Sequence, residues 1–163
     1  MQYLRLPISL LAGVFYKAYG SSKAYMIISS VEKLIDGKSP GQVQSDITIR
    51  EACKRMCELD VGALAVFDQQ LLVGILSERD VIRRCLGTDR FVDETDVAAI
   101  MTQTPITIDA GSSLANALEV MQSGGFHHLP VTKDGQLIGL LALDDIPEEY
   151  HLLLEQFKEL RAR

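Results

Sequence analysis

The chain contains an internal repeat, and a shift of 65 residues superposes its two copies without a gap. A repeat constrains the fold strongly, because each copy must form the same supersecondary unit. A unit of roughly 50 residues buries too little apolar surface to be secure alone, so we expect two small units that share a core. The identical residues lie mostly at apolar and turn positions: Ala52 and Ala117, Met56 and Met121, Leu64 and Leu129, Val66 and Val131, Leu72 and Leu137, Gly74 and Gly139, Leu76 and Leu141, Asp80 and Asp145.

Each copy has the pattern of a β-α-β-β-α unit. In the first copy, Thr48 is the predicted N-cap of an amphipathic helix, and a second helix is predicted from Ser77 to about Leu86, closed by Gly87. Its predicted strands are Gln42–Gln44, Ala63–Phe67 and Leu71–Leu76. The second copy is predicted to have a helix near Ser113–Gln122 and strands at Ile106–Ile108, His128–Val131 and Leu137–Leu141.

The predicted fold class is therefore mixed α/β (α+β), with two tandem units and added helices at both ends. We place the first domain at residues 26–92 and the second at residues 93–150, with a short connecting helix at Asp96–Met101. Pro147 suits the first turn of a C-terminal helix over residues 147–163, whose apolar stripe should pack against its own core or a second subunit.

Residues 1–25 form an N-terminal extension with an apolar run, Leu6–Tyr16, that is too short to span a bilayer. The run has the outline of a weak signal peptide, but Lys17 follows where a small-residue cleavage site is needed. We therefore favour an added helix, or sequence upstream of a start at Met26, and expect no membrane partner.

The charge balance argues against a nucleic-acid partner. The net charge is −6, yet residues 1–90 carry a net charge of +2 and residues 91–163 a net charge of −8. An acidic chain does not attract a polyanion as a whole, although its first half leaves room for a local anion site.

The three cysteines, Cys53, Cys57 and Cys85, show no pattern of a disulfide scaffold. This usage indicates a reducing compartment, and we expect the cytoplasm. Cys53 and Cys57 lack further ligands at metal-binding spacing, so we expect small buried hydrophobic residues there and no metal.

Two motifs resemble a known family. The sequence GILSERD at Gly74–Asp80 and the sequence GFHHLPV at Gly125–Val131, within a tandem β-α-β-β-α repeat, resemble a pair of cystathionine-β-synthase (CBS) domains, also called a Bateman module. The resemblance covers about residues 26–150 and implies a pseudo-twofold module. It also implies that two clefts bind adenosine-containing ligands such as AMP, ADP, ATP or NAD(H), which report energy or cofactor status to an associated protein.

The residues of the first cleft suit such a ligand on chemical grounds. Unpaired backbone N–H groups at the helix start and the Ser77 hydroxyl would favour phosphate. Asp80, one turn into the helix, can accept hydrogen bonds from both ribose hydroxyls. The alternative is a plain capping box, in which Asp80 reaches back to the N–H of Ser77.

The resemblance implies how the other residues complete this cleft. Thr104, Pro105 and Ile106 would meet the adenine edge, and Phe126, His127 and His128 would line the opposite side. Since neighbours in a strand point to opposite faces, we expect one of the two histidines to face the ligand. Among the nearby arginines, Arg79 is the best candidate for a phosphate contact.

The second cleft departs from the family pattern. Ala142 replaces the hydroxyl residue, while Asp145 keeps the ribose acceptor. The rim is acidic, which disfavours phosphate. With Lys38, Ser39 and Pro40 as its other wall, we expect this cleft to be empty, weak or occupied by a nucleoside-like group of little charge.

We therefore expect a non-catalytic regulatory module that acts through association, as a homodimer joined by helices or with an unidentified protein target. No P-loop, nucleophile elbow or metal-ligand cluster favours an enzyme. The alternatives are a structural dimerisation module without a ligand and a sensor of S-adenosylmethionine.

Overall fold

The computed structural model describes residues 30–35, 37, 40–148, 150–152 and 155. The predicted N-terminal extension over residues 1–25, Lys38 and Ser39 therefore lie outside the described residues. Residues 148, 150–152 and 155 are helical, and the N–H of Tyr150 donates to the carbonyl of Pro147 (2.9 Å). Pro147 thus lies at the start of a helical segment, and residues 149, 153, 154 and 156–163 of the predicted helix lie outside the described residues.

The two copies fold into equivalent units. Their elements follow in the order α1 (Glu32–Ile35), β1 (Gln42–Gln44), α2 (Ile49–Leu59), β2 (Ala63–Asp68), β3 (Leu71–Ser77), α3 (residues 78–88), β4 (Thr102–Gln103), β5 (Ile108–Asp109), α4 (Leu114–Gly124), β6 (His128–Lys133) and β7 (Gln136–Ala142). In each unit the first strand pairs in parallel with the second, which forms an antiparallel hairpin with the third.

The registers of the two hairpins match position by position. Val66 lies opposite Gly74, and Val131 lies opposite Gly139. Both hairpins also shift register directly after that valine. The repeat predicted from the 65-residue shift is therefore a structural repeat of a mixed α+β fold.

The segment between the units forms structure that the sequence did not predict. β4 pairs antiparallel with β3, so the first sheet has four strands and the second has three. The expected helix at Asp96–Met101 is a single 3₁₀ turn at Val97–Ala99, and the strand expected at Ile106–Ile108 is Ile108–Asp109. Short elements have weak patterns, and pairing with a neighbouring strand decides their bounds.

Buried residues form two clusters rather than the single shared core that we expected. Ile35 in α1 and Val31, which directly precedes α1, pack with the second unit, whereas Val97 and Ile100 from the connecting segment pack with the first. Each unit thus completes its core with residues from outside its own repeat. The division between residues 92 and 93 stays a prediction, and the packing crosses it.

The helix after β3 differs from the expected one. It begins as an α-helix at Glu78–Asp80, continues as a π-helix at Val81–Cys85 and ends as a 3₁₀ turn at Leu86–Thr88. The closing residue with positive φ is Asp89 (56°) instead of Gly87. Aspartate tolerates this conformation because its short polar side chain can form local hydrogen bonds.

Candidate functional site

A cavity of about 680 Å³ lies between the two units. The nine residues predicted for the first cleft all line it: Ser77, Arg79, Asp80, Thr104, Pro105, Ile106, Phe126, His127 and His128. They come from the start of α3, from the connecting segment and from the residues around the start of β6. Sequence positions up to 51 residues apart therefore converge on one site.

Asp80 forms the capping box that was the alternative interpretation. Its Oδ2 accepts from the backbone N–H of Ser77 (3.0 Å) and from the Ser77 hydroxyl (2.6 Å). Its Oδ1 lies 3.4 Å from Nε of Arg84, and the side chain is 13% exposed. A carboxylate offers about four acceptor positions. A ribose diol needs two of them, and Oδ1, which accepts no hydrogen bond from a described residue, is the oxygen that a diol can reach.

The backbone at the start of α3 is less available than expected. The N–H of Glu78 donates to the carbonyl of Gly62 (3.1 Å), and the N–H of Asp80 donates to Oγ of Ser77 (3.3 Å). Together with the Ser77 N–H, these groups already have partners. Two of the three N–H groups in the first turn of α3 are thus already paired, so fewer free N–H groups face the cavity than expected.

Arg79 bridges the two units at the cavity. Its Nη1 donates to the carbonyl of Gly125 (3.0 Å), and its Nη2 lies 3.2 Å from Nε2 of His127. Neither contact involves a carboxylate, and no ion pair between Arg79 and a carboxylate is found among the described residues. Phosphate recognition by Arg79 would exchange these contacts for charged ones.

Sequence reasoning gave Arg83 and Arg84 only a share in the positive potential beside the helix start and did not place them in the wall of the cavity. Arg84 Nη1 donates to the carbonyls of Ile100 and Met101 and to Oγ1 of Thr102, at 3.1 to 3.2 Å, so this side chain holds the connecting segment against α3. Arg83 also lines the cavity and is exposed, and within the described part of the chain no ion pair or hydrogen bond of its side chain is found. The remaining missed lining residues are Gly62, Ile75, Glu78, Thr102, Gly124, Gly125 and Pro130.

The connecting segment turns sharply where it enters the cavity. Thr104 has a φ of 45°, which is a strained conformation for a β-branched residue. Its N–H donates to the carbonyl of Val73 (3.1 Å), which holds the turn in place. Two residues later, Ile106 leaves 57% of its surface exposed beside the cavity. This arrangement presents an apolar side chain that a planar base can cover.

Both histidines line the cavity, and which of them faces a ligand stays a prediction. His127 precedes β6, and the alternation of a strand does not yet apply to it. Burial lowers the pKa of the His128 imidazole, and His127 lowers it further, while Glu78, Asp144 and Asp145 act in the opposite direction. His128 therefore favours the neutral form near pH 7.

The second cleft keeps the carboxylate of the first cleft but lacks its hydroxyl. The N–H of Ala142 donates to Oδ2 of Asp145 (2.9 Å), but alanine offers no hydroxyl. A 3₁₀ turn at Leu143–Asp145 stands where the first unit has the longer α3. Pro40 is half-buried. Ligand binding at this cleft by Lys38, Ser39, Pro40 and Asp145 stays a prediction.

The three cysteines differ in how far they are exposed to solvent. Cys57 is exposed, Cys53 is half-buried and Cys85 is buried, so the prediction of a buried residue is wrong for Cys57. Cys57 lies on the outer edge of α2, beyond the face that packs on the sheet.

In the part of the chain that the structure describes, no group of three or more histidine, cysteine or acidic side chains is placed to bind a metal ion. No described helix is long and apolar enough to cross a membrane.

Curated relatives of this chain include CBS domain-containing proteins. The CBS domain-containing protein CBSCBSPB1 of Arabidopsis thaliana is 39% identical over 100 residues, which cover 61% of this chain and 18% of that protein. The chain thus matches a small part of that longer relative.

Solved structures agree with the fold. A CBS-domain protein from Burkholderia ambifaria is 29% identical, with a TM-score of 0.70 over 72% of this chain and 90% of that one. A CBS-domain protein from Pyrobaculum aerophilum, solved in complex with AMP, is 25% identical, with a TM-score of 0.68 over 78% of this chain and 99% of that one.

The CBS-domain family model matches the chain twice, at residues 37–87 and 97–151. Each match contains one unit of the structural repeat, and together they cover more than half of the chain. The protein therefore belongs to the CBS-domain family and contains two CBS domains in tandem.

Proposed function

We propose that this protein is a non-catalytic regulatory module that binds an adenosine-containing nucleotide in the cavity between its two CBS domains. The convergence of the nine predicted residues on one cavity carries the proposal. The AMP bound to the relative from Pyrobaculum aerophilum supports an adenine nucleotide as the ligand class. AMP, ADP, ATP and NAD(H) all contain the adenosine that these residues would recognise.

In the proposed complex, Asp80 accepts hydrogen bonds from the ribose hydroxyls. The Ser77 hydroxyl, which now donates to Asp80, turns to a phosphate oxygen. Thr104, Pro105 and Ile106 contact the adenine, and the bridge between Arg79 and His127 opens toward the phosphate. Each step exchanges a hydrogen bond within the protein for one to the ligand, so the affinity arises from charge and from burial of the base.

Regulation follows from the position of the cavity. Its wall combines α3 of one domain with the residues around the start of β6 of the other. A ligand can shift a conformational equilibrium only by its differential affinity for the two states. A nucleotide that replaces the contact between Arg79 and Gly125 would thus change how the two domains are held together.

We also propose that the module acts as a homodimer, or through a protein target, by a helical surface of the first domain. Three exposed apolar side chains lie on or just after α3: Ile82, Leu86 and Phe91. Beside them, a second cavity of about 490 Å³ separates α2 from α3. Light scattering on the purified protein would measure the mass of the assembly.

We further propose that the protein is located in the cytoplasm, because its free cysteines are typical of a reducing compartment.

The substitution Asp80→Ala tests the nucleotide proposal. Loss of the ribose contacts should weaken binding by about 1.5–3 kcal/mol, or roughly 10-fold to 150-fold, as measured by calorimetric titration with AMP, ADP, ATP and NADH. Glu51→Ala is a matched control, because Glu51 forms the equivalent capping box with Thr48 at the start of α2, outside the cavity. It should lower stability and leave the affinity unchanged.

Three results would contradict the proposal in different ways. Equal affinity of Asp80→Ala and the wild-type protein would show that Asp80 is a helix cap alone. No binding of any nucleotide would favour the structural dimerisation module, and preferential binding of S-adenosylmethionine would favour the other sensor. Turnover of a bound nucleotide on long incubation would indicate an enzyme.

A further inference from the structure

Positively charged side chains outnumber negatively charged ones among the residues that line the cavity. Five charged side chains line it: Glu78, Arg79, Asp80, Arg83 and Arg84. Asp80 and Arg84 form an ion pair at 3.4 Å. Glu78 lies at the end of the cavity that is formed by Gly62 and His128. A β-carbon placed on Gly62 would contact the side chains of both His128 and Glu78. Arg79 and Arg83 are then left with positive charges that no carboxylate among the described residues compensates.

These two arginines differ in how firmly they are held. Arg79 already donates to the carbonyl of Gly125 and contacts His127. Arg84 is fixed by two carbonyls and a hydroxyl and serves the packing of the connecting segment. Arg83 has no such partner in the described part of the chain. It is the cation that a ligand can engage without breaking an existing contact.

The positions of Arg79 and Arg83 also suit an extended anion. They are four residues apart on one helical segment, a spacing that places side chains on the same face about one turn apart. A guanidinium binds phosphate oxygens in a planar, two-pronged geometry. Two such groups one turn apart can bind successive phosphates, whereas a single phosphate occupies one of them.

We propose that the pair Arg79 and Arg83 makes this cavity selective for nucleotides with a phosphate chain, such as ADP and ATP, over nucleoside monophosphates. Arg83 is the specificity-determining residue, and it binds the phosphate beyond the first. This inference rests on the proposed nucleotide site and names the class of nucleotide that the site prefers. It differs from the ranking based on the sequence, which placed Arg79 first.

The test is a calorimetric titration of the full chain with AMP, ADP and ATP without metal ions at about 0.1 M salt, where surface charges still act over about 10 Å. The wild-type protein should bind ADP and ATP about tenfold more tightly than AMP. Arg83→Gln should remove most of that difference and change the AMP affinity less than threefold. Arg90→Gln is the control, because Arg90 is also exposed and does not line the cavity.

The possible results distinguish failure of the selectivity inference from failure of the proposed nucleotide site. If AMP binds as tightly as ATP, or if Arg83→Gln and Arg90→Gln weaken ATP equally, the selectivity inference is overturned and the nucleotide site stands. If no adenine nucleotide binds the wild-type protein, both are overturned. A preference for ATP that Arg83→Gln abolishes and Arg90→Gln preserves supports the assignment.

Discussion

Asp80 caps α3, and this role is compatible with the proposed contact to ribose. As a cap, its Oδ2 accepts from both the N–H and the hydroxyl of Ser77. As a ribose acceptor, it would use Oδ1, which accepts no hydrogen bond from a described residue. The cap holds the carboxylate in a fixed orientation, with 13% of the side chain exposed.

Thr104 supplies a prediction about strain at the cavity. A residue with a β-carbon in the left-handed region costs about 1–2 kcal/mol, whereas glycine pays roughly 0.5–1 kcal/mol in lost backbone freedom. Thr104→Gly should thus raise the free energy of unfolding by up to about 1 kcal/mol in urea titrations. Thr107→Gly is the control, because Thr107 is also exposed and has no positive φ. It should lower stability, and equal losses in the two variants would refute the strain.

Nine of the eighteen lining residues of the cavity could be predicted from the sequence, because they belong to the two motifs or lie in the segment that connects the two units. Their present partners could not be, since Arg79 contacts Gly125 and Arg84 contacts Ile100 through backbone carbonyls that every residue has. The sequence therefore does not show which carbonyl accepts a hydrogen bond from an arginine. For the same reason, the pairing of the Glu78 N–H with Gly62 escaped prediction.

The two units end their first helices in the same conformation with different residues. Asp60 closes α2 at a φ of 53°, and Gly125 closes α4 at a φ of 66°. The tips of the two hairpins also match, with positive φ at Gln69 and Asp134. The backbone of the repeat is thus preserved at positions where the side chains are not.

An exchange between the units tests how far this equivalence extends. Asp60→Gly should stabilise the protein by about 0.5–1 kcal/mol, because glycine adopts the left-handed region without a steric cost. The reciprocal change, Gly125→Asp, should destabilise it similarly, since a β-carbon at Gly125 meets no atom within 4 Å and the cost is conformational. Thermal unfolding of both variants is the measurement. Changes of the same sign would show that the two caps are not equivalent.

Prediction at the level of elements succeeded where patterns were long. The strands at Ala63–Asp68 and His128–Lys133 and the helix at Ile49–Leu59 lie close to their expected bounds, because an apolar period over several residues predicts burial. β4 has two residues, and its existence depends on the exposed edge of β3. The π-helix at Val81–Cys85 also has no pattern of its own in the sequence.

The whole molecule is held together by segments that cross between its units. Val31 and Ile35 complete the second core, although they precede the first repeat in the sequence. Val97 and Ile100 complete the first core, although they follow it. The sequence identified these residues as apolar but not the core that each would enter. This crossed packing and the bridge from Arg79 to Gly125 place the two domains on opposite sides of one cavity.

The net charge of −6 does not describe this cavity, because the positive charges of Arg79 and Arg83 lie in the more basic half of the chain. A local site for one small anion is therefore compatible with an acidic molecule.

The most direct measurement of the central claim is a nuclear magnetic resonance titration of the isotope-labelled protein with ADP, observing the backbone amides. Three segments that line the cavity should shift together and saturate with one affinity: residues 77–84, 104–106 and 125–128. The amides of α2, which lie outside this cavity, should stay in place. Shifts confined to the region of Asp145, or no shifts at millimolar ADP, would contradict nucleotide binding at this site.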